Sequence, residues 1–150
     1  MRLQVSTRLA IFAVLELTAR EGLQLSVAEI GGKYGVSSHH LAKVMHVMGR
    51  AGLVRSVRGV GGGYQFAGNP RRTTLLDVAQ LFEELNSVDR ENGDATREEQ
   101  TLSEILGEID DVARATLGSI TIATMRKLVE RRAGGGARPP PRSRHRKGPA

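Results

Sequence analysis

Two short stretches hold the residues best placed to do chemistry. Ser37, Ser38, His39, His40 and Lys43 crowd the segment SSHHLAK, and Arg58 heads the segment RGVGGGYQF. Their hydroxyls, imidazoles, ammonium and guanidinium suit two tasks. One is metal ligation or acid–base work by histidine; the other is recognition of a polyanion. The first fails on spacing and composition. His39, His40 and His46 do not converge on one helix face. The chain has no cysteine, which excludes disulfides, thiolate zinc sites and a cysteine-held iron–sulfur cluster. No paired nucleophile and base shares a motif, so an enzyme is not expected. A nucleotide loop should follow a strand and open a helix, whereas Gly59, Gly61, Gly62 and Gly63 lead into a second strand-like run with no Gly-Lys-Ser/Thr. Polyanion recognition is the task left standing.

The charges agree with it. Residues 1–75 carry ten Lys/Arg against three Asp/Glu, residues 76–133 seven against thirteen, and residues 134–150 five against none. A basic head, an acidic middle and a basic tail give the head the electrostatic footprint of a nucleic-acid binder. Lys33, Arg50, Arg55, Arg71 and Arg72 are candidates for phosphate contact, of which about half are expected to make it. No run of apolar residues is long enough to span a membrane, and Glu16 interrupts the apolar centre of the N-terminal segment. The expectation is a cytoplasmic protein with no membrane partner.

These groups need elements to position them. Val5, Leu9, Phe12, Ala13 and Leu17 recur at helical spacing and predict a helix over 5–20. Ser26-Val-Ala-Glu29 is a capping box opening a short helix that stops near Gly35. Ser37 caps a third helix, with Leu41, Val44, Met45 and Met48 on its apolar face and Ser38, His39, His40 and Lys43 on the other; Gly52 sits where a glycine stops it. Leu53–Arg58 and Tyr64–Phe66 flank the glycines as a hairpin. Thr74 caps a helix expected to run to Leu85. Thr96-Arg-Glu-Glu99 opens a long helix whose stripe is Leu102, Ile105, Leu106, Ile109, Val112 and Ala113, and Thr121 restarts a helix to Arg132 after a break near Gly118.

Helix, short helix, helix, hairpin is the order of a winged helix-turn-helix, a mainly α fold with a small β-hairpin. Its third helix enters the major groove, and its wing arginine suits a narrow minor groove. In a chain this small, a long apolar-striped helix with no further element to cover it predicts a contact between chains.

YGVSSHHLAKVMHVMGRAGLVRSVRGVGGGYQFAG resembles the signature of the Rrf-type bacterial repressors, which include IscR, NsrR and CymR. MRLQVSTRLAIFAVLEL, LLDVAQLFEEL and SITIATM extend the resemblance over residues 1–132. It implies a homodimer reading a palindromic double-stranded DNA operator, with Ser37, Ser38, His39, His40, Lys43, Arg50, Arg58, Gly59, Gly61 and Gly62 as the DNA-binding set. It also implies the stripe Leu102, Ile105, Leu106, Ile109, Val112 and Ala113 as the dimer interface. His40 and Lys43 look most like the NsrR branch. Many members hold an iron–sulfur cluster by three cysteines in the loop before the long helix. Here that loop is NSVDRENGDATREEQ, and the acidic residue that some NsrR proteins add near the N-terminus is replaced by Arg8. No cofactor is expected, and any signal arrives through an unidentified small-molecule or protein effector.

The organisation expected is a winged DNA-binding unit with a linking helix over 1–85, a loop over 86–96, dimerisation helices over 97–132 and a disordered basic tail over 133–150. Two rivals stand beside it: a cluster-free sensor with a pocket between the winged domain and the long helix, which releases DNA when a small ligand or partner enzyme binds, and a winged module for protein–protein contact whose tail binds polyanions without selectivity.

Overall fold

The computed structural model of the chain describes residues 1–85 and 94–135. Among these the element order is α1 (Val5–Leu17), α2 (Val27–Tyr34), α3 (Ser38–Arg50), β1 (Val54–Val57), β2 (Gly63–Phe66), α4 (Leu75–Ala79), α5 (Arg97–Ser119) and α6 (Ile122–Gly134). The fold is mainly α with one small antiparallel hairpin. Most of the loop expected over 86–96, and the tail from 136 onward, lie outside the described residues.

α1 is the central post. Leu9, Ala10, Ala13, Val14 and Leu17 meet Leu41, Val44, Met45 and Met48 of α3, with Val54, Leu75, Val78 and Ile122 closing the core. Truncating a fully buried aliphatic such as Leu41 costs about 2–5 kcal/mol, because the removed carbons leave a cavity. α1 ends at Leu17, earlier than the predicted Arg20, where the Thr18 hydroxyl donates to the Val14 carbonyl. Val5 lies off the buried stripe, 60% exposed. α4 is likewise shorter than expected. Beyond Ala79, i−3 bonds from Leu81 to Val78 and from Phe82 to Ala79 mix with an i−4 bond from Glu83 to Ala79, an irregular turn that brings Glu83 to the start of α1.

The hairpin pairs Val54 with Phe66, Arg55 with Gln65, Ser56 with Tyr64 and Val57 with Gly63. The α1–α2 connection adds a bridge on its far edge, where Leu25 exchanges both backbone bonds with Tyr64 at 3.1 and 2.8 Å. That third segment was not anticipated from the sequence.

The two C-terminal helices are held very differently. The α5–α6 junction is stitched to the winged unit. Leu75 N–H donates to the Ile120 carbonyl and Ile122 N–H to the Thr73 carbonyl, both at 2.9 Å, and the Ile122 side chain has no exposure. α5 buries no residue at all. Its 23 residues make a rod of about 35 Å at 1.5 Å per residue. Leu102, Ile105, Leu106, Ile109 and Val112 are each more than half exposed along it.

Candidate nucleic-acid interface

α3 is positioned from both ends. α2 begins at Ser26, whose hydroxyl accepts from Glu29 N–H while Glu29 accepts from Ser26 N–H, a complete capping box. α2 ends at Gly35 with φ 64°, a left-handed conformation that a side chain resists. Ser37 then caps α3 by accepting from His40 N–H at 3.2 Å. The far end closes in a Schellman motif, with Gly52 N–H donating to Gly49 and Leu53 N–H to Met48. Only one short turn separates α2 from α3, so the packing that fixes α2 also fixes the angle of α3.

A second cluster locks that angle. The Tyr34 hydroxyl donates to Glu16 Oε1 at 2.6 Å, Lys33 Nζ reaches the same oxygen at 2.5 Å, and the Tyr34 ring stacks on Phe12 with centroids 5.0 Å apart. Partial burial pushes the Glu16 carboxyl up, but bonds from Lys33 and Tyr34 and the Lys33 charge outweigh it and leave it below the ordinary value. Burial, then the bond to Glu16, pushes the Tyr34 phenol up.

α3 divides by face as the spacing predicts. Leu41, Val44, Met45 and Met48 are buried, while Ser38, His39, Lys43, His46 and Arg50 are exposed. His40 departs from the expected open face. It is half-buried, with Nε2 3.5 Å from Ser6 Oγ at the start of α1. The Ser37 oxygen is engaged as the cap, leaving its hydroxyl proton to a ligand.

At the wing, Arg58 is exposed beside Gly59 and Gly61, whose φ values are 114° and 75°. Gly62 N–H closes the turn onto the Gly59 carbonyl at 2.9 Å. The glycine cluster was expected to serve a tight turn close to a phosphate backbone. Two of its members also answer a need inside the chain. A Cβ on Gly62 would sit 2.8 Å from the Val57 carbonyl oxygen, and one on Gly63 would land on the Leu25 carbonyl. The Gln24 amide donates to the Gly61 carbonyl, tying the wing to the α1–α2 connection.

Two of the five candidate phosphate cations have intramolecular duties. Lys33 pairs with Glu16, and the Arg55 guanidinium donates twice to Gln65 Oε1, at 3.1 and 2.8 Å. Arg50, Arg71 and Arg72 are exposed and, among the described residues, form no ion pair.

Sequence reasoning missed Glu83. Its Oε1 accepts from Gln4 N–H at 2.6 Å and from the fully buried Thr7 hydroxyl at 2.5 Å. Gln4 is the N-cap of α1 and offers no side-chain cap of its own. Glu83 therefore caps α1 from across the fold. The signal was the lack of Ser, Thr, Asp or Asn at the N-cap position of that helix, which is Gln4.

A winged helix-turn-helix with a cationic reading helix and wing defines a DNA-binding protein. The chain belongs to the Rrf2 family, described as an iron-dependent transcriptional regulator, whose profile matches residues 3–127. It is 45% identical over 131 residues to BadM of Rhodopseudomonas palustris, described as an HTH-type transcriptional regulator, covering 87% of this chain and 84% of that protein. Among solved structures it is similar to CymR, the global cysteine regulator of B. subtilis, with TM-score 0.72 and 25% identity over 85% of this chain and 98% of the other. It is also similar to T. potens IscR, with TM-score 0.66 and 26% identity over 93% and 94% of the two chains. The chain is a DNA-binding transcription regulator, and these relatives are regulators rather than enzymes. Among the described residues no helix is long and apolar enough to cross a membrane.

Iron in the family description does not fit a thiolate-held cluster here. The sequence supplies no cysteine, and among the described residues no three His, Asp or Glu gather as a ligand set.

Proposed function

We propose that the chain works as a homodimeric repressor reading a pseudo-palindromic double-stranded DNA site without an iron–sulfur cluster. The winged unit, 1–85, carries recognition, and the helices over 97–132 carry dimerisation. Ser38, His39, His40 and Lys43 read the major groove from α3, assisted by Ser37 and Arg50. Arg58 enters the minor groove, with Gly59, Gly61 and Gly62 bringing the wing backbone close. Leu102, Ile105, Leu106, Ile109, Val112 and Ala113 form the seam with a second copy. The observation that carries the reading is α5. None of its residues is fully buried within the chain, yet it presents an exposed apolar stripe from Leu102 to Val112, while the proposed reading surface lies on other elements. Apolar area of that extent in water favours a partner, and an isologous pair sets two reading heads on a two-fold axis. The cytoplasm is where such a regulator acts. The finer kinship with the NsrR branch rests on His40 and Lys43 alone.

Fluorescence anisotropy on the gene's own upstream DNA and on a scrambled duplex, across a salt series, tests this. The expected result is a preference on the order of a thousandfold that persists at physiological salt. Equal binding that vanishes with salt would leave the nonspecific tether and turn attention to a protein partner.

A further inference from the structure

A chain of this family that cannot hold a thiolate cluster needs another place for a signal to enter. A cavity of about 1130 Å³ opens where the winged unit meets α6. Its apolar wall is Leu17, Leu23, Phe66, Pro70 and Ala123. Five cations line it, Arg20, Arg55, Arg71, Arg126 and Lys127, against two carboxylates, Glu21 and Glu130. Arg126 is engaged, with Glu130 at 3.5 Å and the Ala19 carbonyl at 2.9 Å, and Arg55 is held by Gln65. Arg20, Arg71 and Lys127 form no ion pair among the described residues. An apolar wall beside unpaired cations fits neither a structural salt-bridge network nor an empty apolar void. It fits an amphipathic anion whose body covers the wall and whose charge meets the free cations.

The cavity shares Arg55 and Arg71 with the candidate phosphate contacts but lies apart from α3 and the wing tip. No residue of α2, α3 or the 58–62 turn lines it. It touches the base of the wing through Arg55 and Gln65, and α6 through Ala123, Thr124, Arg126, Lys127 and Glu130. A ligand there contacts both the wing base and the helix joined to α5. It can therefore favour one setting of the wing relative to the dimer axis, which is the differential contact that regulation requires.

We propose that this cavity is the effector site, and that it takes a small organic anion, an apolar body bearing a carboxylate or phosphate. The regulatory half rests on the DNA-binding reading above; the binding half does not.

The test uses the full chain without DNA first, with anilinonaphthalene sulfonate as the probe. The expected result is saturable binding of one dye per chain. Arg20→Gln with Lys127→Gln weakens it, and Arg20→Glu with Lys127→Glu weakens it further, on the order of tenfold for two exposed ion pairs lost and reversed. Melting temperature is measured alongside, and both positions are surface charges, so a fold defect is distinguishable. Hexanoate and hexyl phosphate compete for the dye, and the stronger competitor identifies the head group. Dye affinity equal in wild type and both variants overturns the proposal, because the dye then sits on apolar surface elsewhere, as on α5. Competition by neutral hexanol as strong as by the anions overturns it too. The competing anion should then shift operator affinity of the wild type and not of the charge-reversed variant. No shift in the wild type overturns the regulatory half, while a wild type that binds no operator at all counts against the DNA reading and leaves the dye result standing.

Discussion

Glu83→Ala removes the acceptor for the first turn of α1. Thr7 has no exposure, so its hydroxyl cannot turn to water. A buried hydroxyl left without a partner costs about 1–3 kcal/mol. Loss of the cap on Gln4 N–H adds about 1 kcal/mol. Together these predict a loss of roughly 2–4 kcal/mol, a large share of the margin of a small domain. Glu83→Gln keeps an oxygen in place and gives up only charge assistance, about 1 kcal/mol. Urea unfolding at one fixed protein concentration measures both, since the stability of the proposed dimer depends on concentration. An alanine variant within 0.5 kcal/mol or so of wild type, the range of an ordinary surface change, would refute the trans-cap. The same turn of α1 carries Ser6, 3.5 Å from His40 on the reading helix. The alanine variant should therefore also lose operator discrimination, and that further loss should vanish in a His40→Ala background. If the two substitutions act independently on discrimination, the route through Ser6 is wrong.

Three other outcomes follow from the same geometry. Arg58→Ala should weaken specific binding and relax A·T preference beneath the wing, by about 1–3 kcal/mol for a lost groove contact; unchanged affinity and preference in an anisotropy titration would remove Arg58 from the groove. Ile105→Asp puts a carboxylate into an apolar seam and should yield monomers by sedimentation; a full dimer at micromolar concentration would place the interface elsewhere. Glu16 has a depressed carboxyl, so it contributes stability that is present above its unfolded value near 4.5 and is lost as pH falls through the lower folded value. Tyr34→Phe deletes one of the bonds responsible, so the acid unfolding midpoint should move to higher pH; a midpoint that stays put would show that Lys33 alone holds the carboxylate.

Much of this was legible because it is local. Ser26 with Glu29, Ser37, Thr96 with Glu99 and Thr121 announce helix starts through atoms within three residues of one another, and all four form the expected caps. The faces of α3 and α5 follow from period alone. What escaped depends on contacts far apart in sequence. Glu83 acts 76 and 79 residues away, and no pattern near it says so. Gly62 and Gly63 are also required by Val57 and Leu25, close contacts inside the chain that lie outside the local pattern. The half-burial of His40 needs the start of α1 beside it. Ile122 shows the same limit: it starts a largely exposed helix, yet is fully buried because Thr73 and Leu75 pair with the α5–α6 junction.

That junction sets the geometry of the whole reader. Pairing of residues 73–75 with 120–122 makes the base of α5 part of the winged unit, so the direction of the rod is tied to that of the head. The rod is also acidic. Glu98, Glu99, Glu104, Glu108, Asp110 and Asp111 face only Arg97 and Arg114 along α5. A duplex is repelled by that helix and attracted by the head, where ten cations oppose three carboxylates over residues 1–75. The field therefore does what the packing alone cannot. In the proposed dimer it turns α3 and the wing toward the duplex and holds the α5 pair away from it, so that two heads meet the DNA from one side. A nonspecific tether has no use for that polarity, since any basic surface would serve it. A two-headed reader needs it, because both heads must arrive in register before either can settle.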